Sequence, residues 1–255
     1  MKTRGFTLVE FLIVMTLIGI LVSTLSVSVQ AAYRQARQAH CKSNLRQFGI
    51  ASTIYRGEHN NQMPDWLSNL YPEYIDDPSI FICRSDSHRG EGSPRPAELI
   101  KIGFNGIPDD TDRPGFWDNG RNGDPLRNRA IGKCSYLYEF SAAPTQRWVS
   151  QGGEPPRMPV RNTMKSYKIA QMQYGDDSNL SRGRPVPYSA SHIPIARCFH
   201  HWHDMRIYGY ANPENKRNGK TTREYITLNV AYAGNVFVAP IWWEGTLRSG
   251  ENRDE

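Results

Sequence analysis

One short segment of the sequence, HIPIARCFHHWHD at residues 192–204, concentrates side chains that can bind a metal ion. It contains four of the seven histidines and one cysteine. Thiolate and imidazole groups are ligands that zinc prefers. The segment therefore offers four candidate zinc ligands: Cys198, His200, His201 and His203. Their spacing matches no established zinc motif, however. The alternative is that Cys198 forms a disulfide with Cys134 while the histidines hydrogen-bond a hairpin. We favour the disulfide and predict no bound metal.

The four cysteines are widely spaced and include no C-x-x-C pair: Cys41, Cys83, Cys134 and Cys198. An even number of cysteines in an exported chain is typical of a disulfide framework, and four cysteines allow three connectivities. The alternative is four buried thiols in a cytosolic protein. The apolar N-terminal segment, residues 6–29, directs the chain to a membrane, and this favours the disulfides.

A second candidate site is the stretch 87–130, where glycine, proline, asparagine and aspartate indicate turns and loops. Calcium needs several oxygen ligands, and this stretch is rich in aspartates: Asp109, Asp110, Asp112, Asp118 and Asp124. Their spacing fits no EF-hand loop, and aspartates in loops more often form turns. We therefore predict no calcium site and no cofactor.

Neither catalysis nor nucleic-acid binding is predicted. Cys198 has a potential base in His200, but no residue stands out to orient that base, and G-x-S-x-G and P-loop patterns are absent. The net charge is +6, but the arginines are scattered and form no basic run. The sequence therefore predicts a protein that is not an enzyme and has no nucleic-acid partner.

The element that begins the chain is an apolar helix. Residues 6–29 contain one charged residue, and at about 1.5 Å per residue a helix of this length crosses a hydrocarbon core. Lys2 and Arg4 precede it, so the positive-inside rule keeps the N-terminus cytoplasmic and places the rest of the chain outside. Glu10 is the exception, because an unpaired carboxylate in lipid is costly.

Two ordinary explanations of this N-terminus leave Glu10 unexplained. A secretory signal peptide would use Lys2 and Arg4 as its basic region and be cleaved before Ala32. A plain signal anchor would keep the helix in the membrane. Neither a signal peptide nor a signal anchor requires an acidic residue near the start of its apolar segment.

The helix is predicted to continue beyond the membrane. Residues 30–55 contain no proline, and apolar or small residues recur every three or four positions, as on a helix that packs one face on a domain. The opposite face is basic: Arg34, Arg37, Lys42 and Arg46. We expect one helix from about Phe6 to about Tyr55, with residues 30–57 as its amphipathic continuation.

The remaining residues, 58–255, are predicted to form a head with β-structure. CSYLYEF at 134–140 alternates as a strand does, and KSYKIAQMQYGDD at 165–177 is interpreted as a strand that runs into a turn. EYITLNVAY and NVFVAPIWW flank Ala233-Gly234 and predict a hairpin. The predicted fold class is α+β: a long N-terminal helix, with its first half transmembrane, packed on an antiparallel-sheet head with long loops.

Gly5-Phe6-Thr7-Leu8-Val9-Glu10, after a short basic leader, resembles the processing site of type IV pilins and type II secretion pseudopilins. The resemblance implies that prepilin peptidase removes residues 1–5 after Gly5 and methylates the new amine of Phe6. It also implies that Glu10 pairs with the terminal amine of a neighbouring subunit, because a buried charge is tolerated when it is paired. The implied partners are the peptidase, the inner membrane and other pilin subunits.

A longer stretch, CKSNLRQFGIASTIYRGEHNNQMP followed by FICRSD, is similar to a group of bacterial pilin-like proteins. Their pattern has a cysteine on the helix, then Asn-Leu-x-Gln, and a Phe-x-Cys-Pro-Ser-Asp strand end. Arg84 stands here where proline is usual. The resemblance implies a bridge between Cys41 and Cys83, with two unrelated buried cysteines as the alternative. A C-terminal His-x9-Asp-Gly motif of the group is degenerate, since Ala233-Gly234 replaces Asp-Gly.

Taken together, these features predict a structural subunit of a type II secretion pseudopilus or type IV pilus-like filament, anchored in the inner membrane with its head in the periplasm or outside the cell. The alternative is a membrane-anchored binding protein for a glycan or a metal that does not assemble. Exposed tryptophans stack on sugars, and six are available: Trp66, Trp117, Trp148, Trp202, Trp242 and Trp243.

Overall fold

The computed structural model describes residues 7–91, 127–142, 163–175, 180–181, 184–201, 206–207 and 224–240. Several predicted features lie outside these ranges: Gly5, Phe6, His203, the five loop aspartates and all tryptophans except Trp66.

The N-terminal element is a single α-helix, α1, at Leu8–Glu58. Its bounds agree with the predicted helix to within a few residues at each end. Thr7 is the N-cap of the helix, because its hydroxyl accepts a hydrogen bond from the Glu10 N–H. The helix contains no proline. It ends where Asn60 and Asn61 adopt positive φ angles of 50° and 60°, since asparagine tolerates the left-handed conformation that closes a helix.

The chain forms two compact units, Met1–Ala39 and His40–Glu255. In the first unit the large apolar side chains of α1 that the structure describes are exposed, and Leu8 reaches 79 % exposure. Helix α1 is long and apolar enough to cross a membrane, and none of its most apolar stretch is buried within the chain. Helix α1 is therefore a candidate membrane-spanning helix, which is consistent with the predicted transmembrane half.

From here on we call the second unit, His40–Glu255, the head, and within it the remaining part of α1 is amphipathic. Its buried stripe recurs at three- and four-residue steps: Cys41, Asn44, Leu45, Phe48, Ala51 and Ser52. The Phe48 ring makes edge contacts with Phe81 and Tyr136, with both centroids at 5.2 Å. The stripe therefore lies against the core of the head.

The head contains an antiparallel sheet and a second α-helix. After α1 come two 3₁₀ helices, Leu67–Leu70 and Pro78–Phe81. The described elements that follow them are β1 Leu137–Tyr138, α2 Met164–Tyr174, β2 Leu180–Ser181, β3 Arg184–Pro185, β4 Pro194–Cys198, β5 Arg206–Ile207, β6 Glu224–Ala231 and β7 Val236–Pro240. Among the described strands, β4 pairs with β1 and β6, and β6 also pairs with β5 and β7. All of these pairings are antiparallel, which confirms the α+β class.

The β6–β7 hairpin confirms the sequence prediction, with Val230 paired to Val236 at its closed end. Gly234 supplies the turn with a φ of 88°, a value that glycine adopts without steric cost.

Two local predictions were wrong. Residues 164–174 form α2 rather than a strand. Thr163 caps this helix in a reciprocal arrangement with Ser166, and Gly175 ends it with a φ of 71°; these capping signals outweigh the short apolar alternation. The segment before Cys83 is a 3₁₀ helix, Pro78–Phe81, rather than a strand end. Its N-cap Asp77 accepts a hydrogen bond from the Ser79 N–H.

Candidate functional site

The head contains a buried group of three cysteines and one histidine, which we call the Cys/His cluster: Cys41, Cys83, Cys198 and His201. The ligand atoms of the four side chains all lie within 4.8 Å of one another. Each of the four residues is fully buried. Cys83 Sγ and His201 Nε2 lie 3.4 Å apart.

Three different parts of the fold supply the cluster. Cys41 lies on α1, Cys83 follows the 3₁₀ helix Pro78–Phe81, and Cys198 is the last residue of β4. His201 comes three residues after Cys198, in the turn that leaves the strand. The cluster therefore joins the helix, a connecting segment and the sheet at one point.

Asn44 fixes the connecting segment against α1. Its side-chain amide donates to the carbonyl oxygen of Ile80 at 2.9 Å and also lies 3.2 Å from the Tyr136 hydroxyl. Because Asn44 is one helical turn from Cys41, this contact holds Cys83 near Cys41. An asparagine in the buried stripe thus contributes to positioning the cluster.

The hydrogen bonds around the cluster orient its members. The Ser85 N–H donates to Cys83 Sγ at 3.4 Å, and the Ser85 hydroxyl lies 3.4 Å from His201 Nδ1. The Tyr136 hydroxyl donates to Cys41 Sγ at 3.7 Å. An Nδ1–H that donates to Ser85 leaves the Nε2 lone pair directed at the thiols.

The thiols have unequal acidities. Hydrogen bonds from Cys198 and Cys41, followed by the contribution of His201, lower the pKa of Cys83 despite its burial. Burial is the main reason that the pKa of Cys41 and of Cys198 is raised. These contacts therefore favour the thiolate form of Cys83.

Of the four zinc ligands proposed from the sequence, the structure places two in the Cys/His cluster. Cys198 and His201 belong to the cluster, whereas His200 points elsewhere: its Nε2 lies 3.5 Å from Asp86 Oδ2. Burial is the main cause of the lowered pKa of His200. His203 lies outside the described residues. Cys41 and Cys83, which the resemblance assigned to a disulfide, complete the cluster.

None of the four cysteines forms a disulfide in the structure. Cys198 lies with Cys41 and Cys83 rather than with Cys134, whose thiol donates to the carbonyl oxygen of Tyr136 at 3.6 Å. The sequence also predicted that histidines of the segment 192–204 contact the hairpin. His192 does so, since its ring centroid lies 6.1 Å from that of Phe237 in β7.

One sequence signal could have identified part of the cluster. Cys198 and His201 are separated by two residues, the short spacing at which neighbouring side chains commonly bind one metal ion. Cys41 and Cys83 carry no comparable signal, because the fold brings them to this point over long sequence distances.

The cluster can bind a thiophilic metal or form one disulfide. Its full burial leaves no route for a substrate in the described residues.

At the N-terminus, Thr7 and Glu10 form a capping box. Glu10 Oε2 accepts hydrogen bonds from the Thr7 N–H at 2.9 Å and from the Thr7 hydroxyl at 2.8 Å. This arrangement satisfies a helix-end donor within the chain. The predicted assembly residue is exposed and uses one of its two carboxylate oxygens in these bonds.

Comparison with protein families identifies residues 1–26 as a prokaryotic N-terminal methylation motif. The match includes Gly5, Phe6 and Glu10, so the predicted prepilin-type motif is confirmed. It supports a type IV pilin-like or pseudopilin-like protein, and a structural rather than enzymatic one. Comparison with curated proteins and with solved structures gives no match.

Proposed function

We propose that this protein is a subunit of a type II secretion pseudopilus or a type IV pilus-like filament. Prepilin peptidase cuts after Gly5, α1 holds the chain in the cytoplasmic membrane with the head outside, and assembly transfers the helix into the filament core. The observation that carries the proposal is the methylation motif at residues 1–26, which leads directly into an exposed apolar helix.

Two properties of the apolar half of α1 support assembly: its exposed apolar side chains and its single carboxylate, Glu10. Its described apolar side chains are exposed, so in the membrane they contact lipid and in a filament they contact the helices of other copies. A terminal amine brought into such a core needs a carboxylate nearby. Glu10 is the one acidic residue between the cleavage site and Val29.

The alternative binding protein has less support. Trp66, the one tryptophan within the described ranges, is 2 % exposed and packs in a small cluster with Met164. A buried indole offers no face to a sugar.

The N-terminus of the mature protein tests the proposal. We expect full-length chain produced with a prepilin peptidase to yield an N-terminal peptide that starts at Phe6 and carries one additional methyl group, measured by mass spectrometry. Gly5→Val should block cleavage. Gly19→Ala is the matched control, because a methyl group at Gly19 meets nothing within 4 Å, and this variant should be processed normally. A mature chain that starts at Ala32 would contradict the proposal.

A further inference from the structure

We propose that the head binds one structural zinc ion through the four side chains of the Cys/His cluster: Cys41, Cys83, Cys198 and His201. The ion would tie α1 to the 3₁₀ segment and to the end of β4. This inference is independent of filament assembly, because it concerns only the head.

The geometry of the cluster is close to that of a tetrahedral site. With Zn–S bonds of about 2.3 Å, the edges of a tetrahedron are about 3.8 Å. The four ligand atoms already lie within 4.8 Å of one another, and Cys83 Sγ is 3.4 Å from His201 Nε2. Side-chain adjustments of about an ångström or less therefore place all four atoms around one ion.

The surrounding hydrogen bonds are those that a zinc site requires. A ligating histidine normally donates its second ring N–H to an oxygen, and the Ser85 hydroxyl is placed to accept from His201 Nδ1. Hydrogen bonds to the sulfurs come from the Ser85 N–H to Cys83 and from the Tyr136 hydroxyl to Cys41. These donors stabilise thiolates, the form that binds the metal.

The composition of the cluster favours a metal over a disulfide. Three neighbouring thiols can form only one disulfide, which would leave the third thiol and a buried imidazole beside it. Cys134 does not supply the missing partner, because its thiol is directed at the Tyr136 carbonyl oxygen. One tetrahedral ion uses all three sulfurs and the histidine.

The ligand set selects zinc, and a structural role for it. Calcium and magnesium require oxygen ligands, whereas three thiolates and one imidazole match a structural zinc site. Four protein ligands fill the tetrahedron, and all four are fully buried. No position is left for a water or a substrate, so the ion would stabilise the fold rather than catalyse a reaction.

Zinc content tests the proposal. We expect reduced full-length protein in detergent, reconstituted with Zn²⁺ and desalted, to retain one zinc ion per chain by plasma mass spectrometry. Cys198→Ser and His201→Ala should lose it. Two matched controls are available within the head: Cys134→Ser changes a buried cysteine outside the cluster, and His200→Ala changes the adjacent histidine. Both should retain the ion.

Two further variants keep the test informative if a ligand variant fails to fold. His201→Cys preserves four zinc ligands and should retain zinc. Ser85→Ala should weaken zinc binding about 10- to 100-fold, as expected when the partner of a ligating histidine is removed. Ser87→Ala is its control, since the Ser87 hydroxyl contacts His88, a histidine that is not part of the cluster, at 3.2 Å.

Cobalt substitution tests the wild-type site without any mutation. The Co²⁺ protein should show the visible bands of tetrahedral cobalt and a thiolate charge-transfer band in the near ultraviolet, both lost on addition of Zn²⁺. The proposal is overturned if reduced wild-type protein binds neither ion. It is also overturned if peptide mapping of protein isolated without reductant finds a disulfide that includes Cys41, Cys83 or Cys198.

Discussion

Glu10 has two possible partners, one in its own chain and one in a neighbouring subunit. Within the chain its carboxylate accepts hydrogen bonds from Thr7 and so caps α1. In the proposed filament it also pairs with a terminal amine. A glutamine at this position would keep the capping box but lose the charge, and therefore the two roles can be separated.

We predict that Glu10→Gln abolishes filament assembly, because the terminal amine of a neighbouring chain loses its counter-charge. Thr7→Ala removes the capping hydroxyl, keeps the carboxylate, and should still assemble. The measurement is the fraction of protein recovered in sheared filaments, normalised to the amount in the membrane. Equal losses in the two variants would show that Glu10 acts only as a helix cap.

A second group of charges lies inside the head. Glu139 is completely buried and forms ion pairs with Lys168 of α2 and Arg197 of β4, both at 3.1 Å. Asn229 of β6 accepts a further hydrogen bond from Arg197 at 3.0 Å. The triad connects a helix with the sheet, and its single carboxylate serves two cations.

Glu139→Gln should therefore be strongly destabilising. It removes the carboxylate that pairs with two buried cations, and breaking a buried pair in this way costs about 3–5 kcal/mol. Urea denaturation at neutral pH measures the effect. The control is Glu91→Gln, which breaks an exposed ion pair with Lys133 and should change stability little, since water and salt screen such pairs. A small effect of Glu139→Gln would contradict the interpretation.

The same carboxylate makes stability depend on pH. Burial alone would raise the pKa of Glu139, but the charges of Lys168 and Arg197 outweigh it, and the pKa lies below its usual 4.5. The group therefore stabilises the fold fully above about pH 4.5, and this contribution is lost as the pH falls through the folded-state pKa. We predict a steep loss of stability in acid for the wild type, and a shallower one for Glu139→Gln, in denaturation series from pH 7 to pH 3.

At the scale of elements, the close approach of α1 to the β6–β7 hairpin depends on Gly49. A methyl group at this position would lie 2.9 Å from the Gly234 carbonyl oxygen and 2.9 Å from a methyl group of Val230. The Arg56 guanidinium completes the contact by donating to the Tyr232 carbonyl oxygen at 3.0 Å. The hairpin turn thus packs directly on the helix backbone.

Two glycine substitutions in the same helix should have opposite effects. Gly49→Ala is expected to destabilise the head by about 1–3 kcal/mol, because the methyl group meets backbone that cannot move freely. Gly57→Ala meets nothing within 4 Å and should stabilise it by about 0.5–1 kcal/mol through helix propensity. Thermal unfolding followed by circular dichroism distinguishes them. Equal shifts would show that the hairpin does not pack against Gly49.

The sequence predicted the elements whose signals are local. Helix α1 followed from an uninterrupted apolar run and a three-to-four-residue period, and the β6–β7 hairpin from two β-rich runs around a glycine turn. Helix α2 was missed because its short pattern resembles a strand, although Thr163 and Gly175 marked its two ends. The Cys/His cluster could not be derived, since Cys41 and Cys83 reach Cys198 only through the tertiary fold.

At the scale of the whole molecule, the division at Ala39 predicts that the head folds without the membrane helix. A chain that begins at His40 keeps the buried stripe of α1 and all four cluster residues. We expect it to be soluble without detergent and to show a cooperative thermal transition. Its zinc content should equal that of the full-length protein. Aggregation, or a gradual transition, would contradict the independence of the two units.

The positions of the cluster residues along the chain also set an order of events during export. In the proposed orientation Cys41 crosses the membrane first, Cys83 next, and Cys198 and His201 only after more than half of the chain has followed. Contacts between such distant residues form slowly, because the intervening loop must close before they contribute. The first two thiols are therefore exposed to the oxidants of the outer compartment while the rest of the chain is still arriving. In that orientation, correct maturation would be a kinetic competition between folding and premature oxidation.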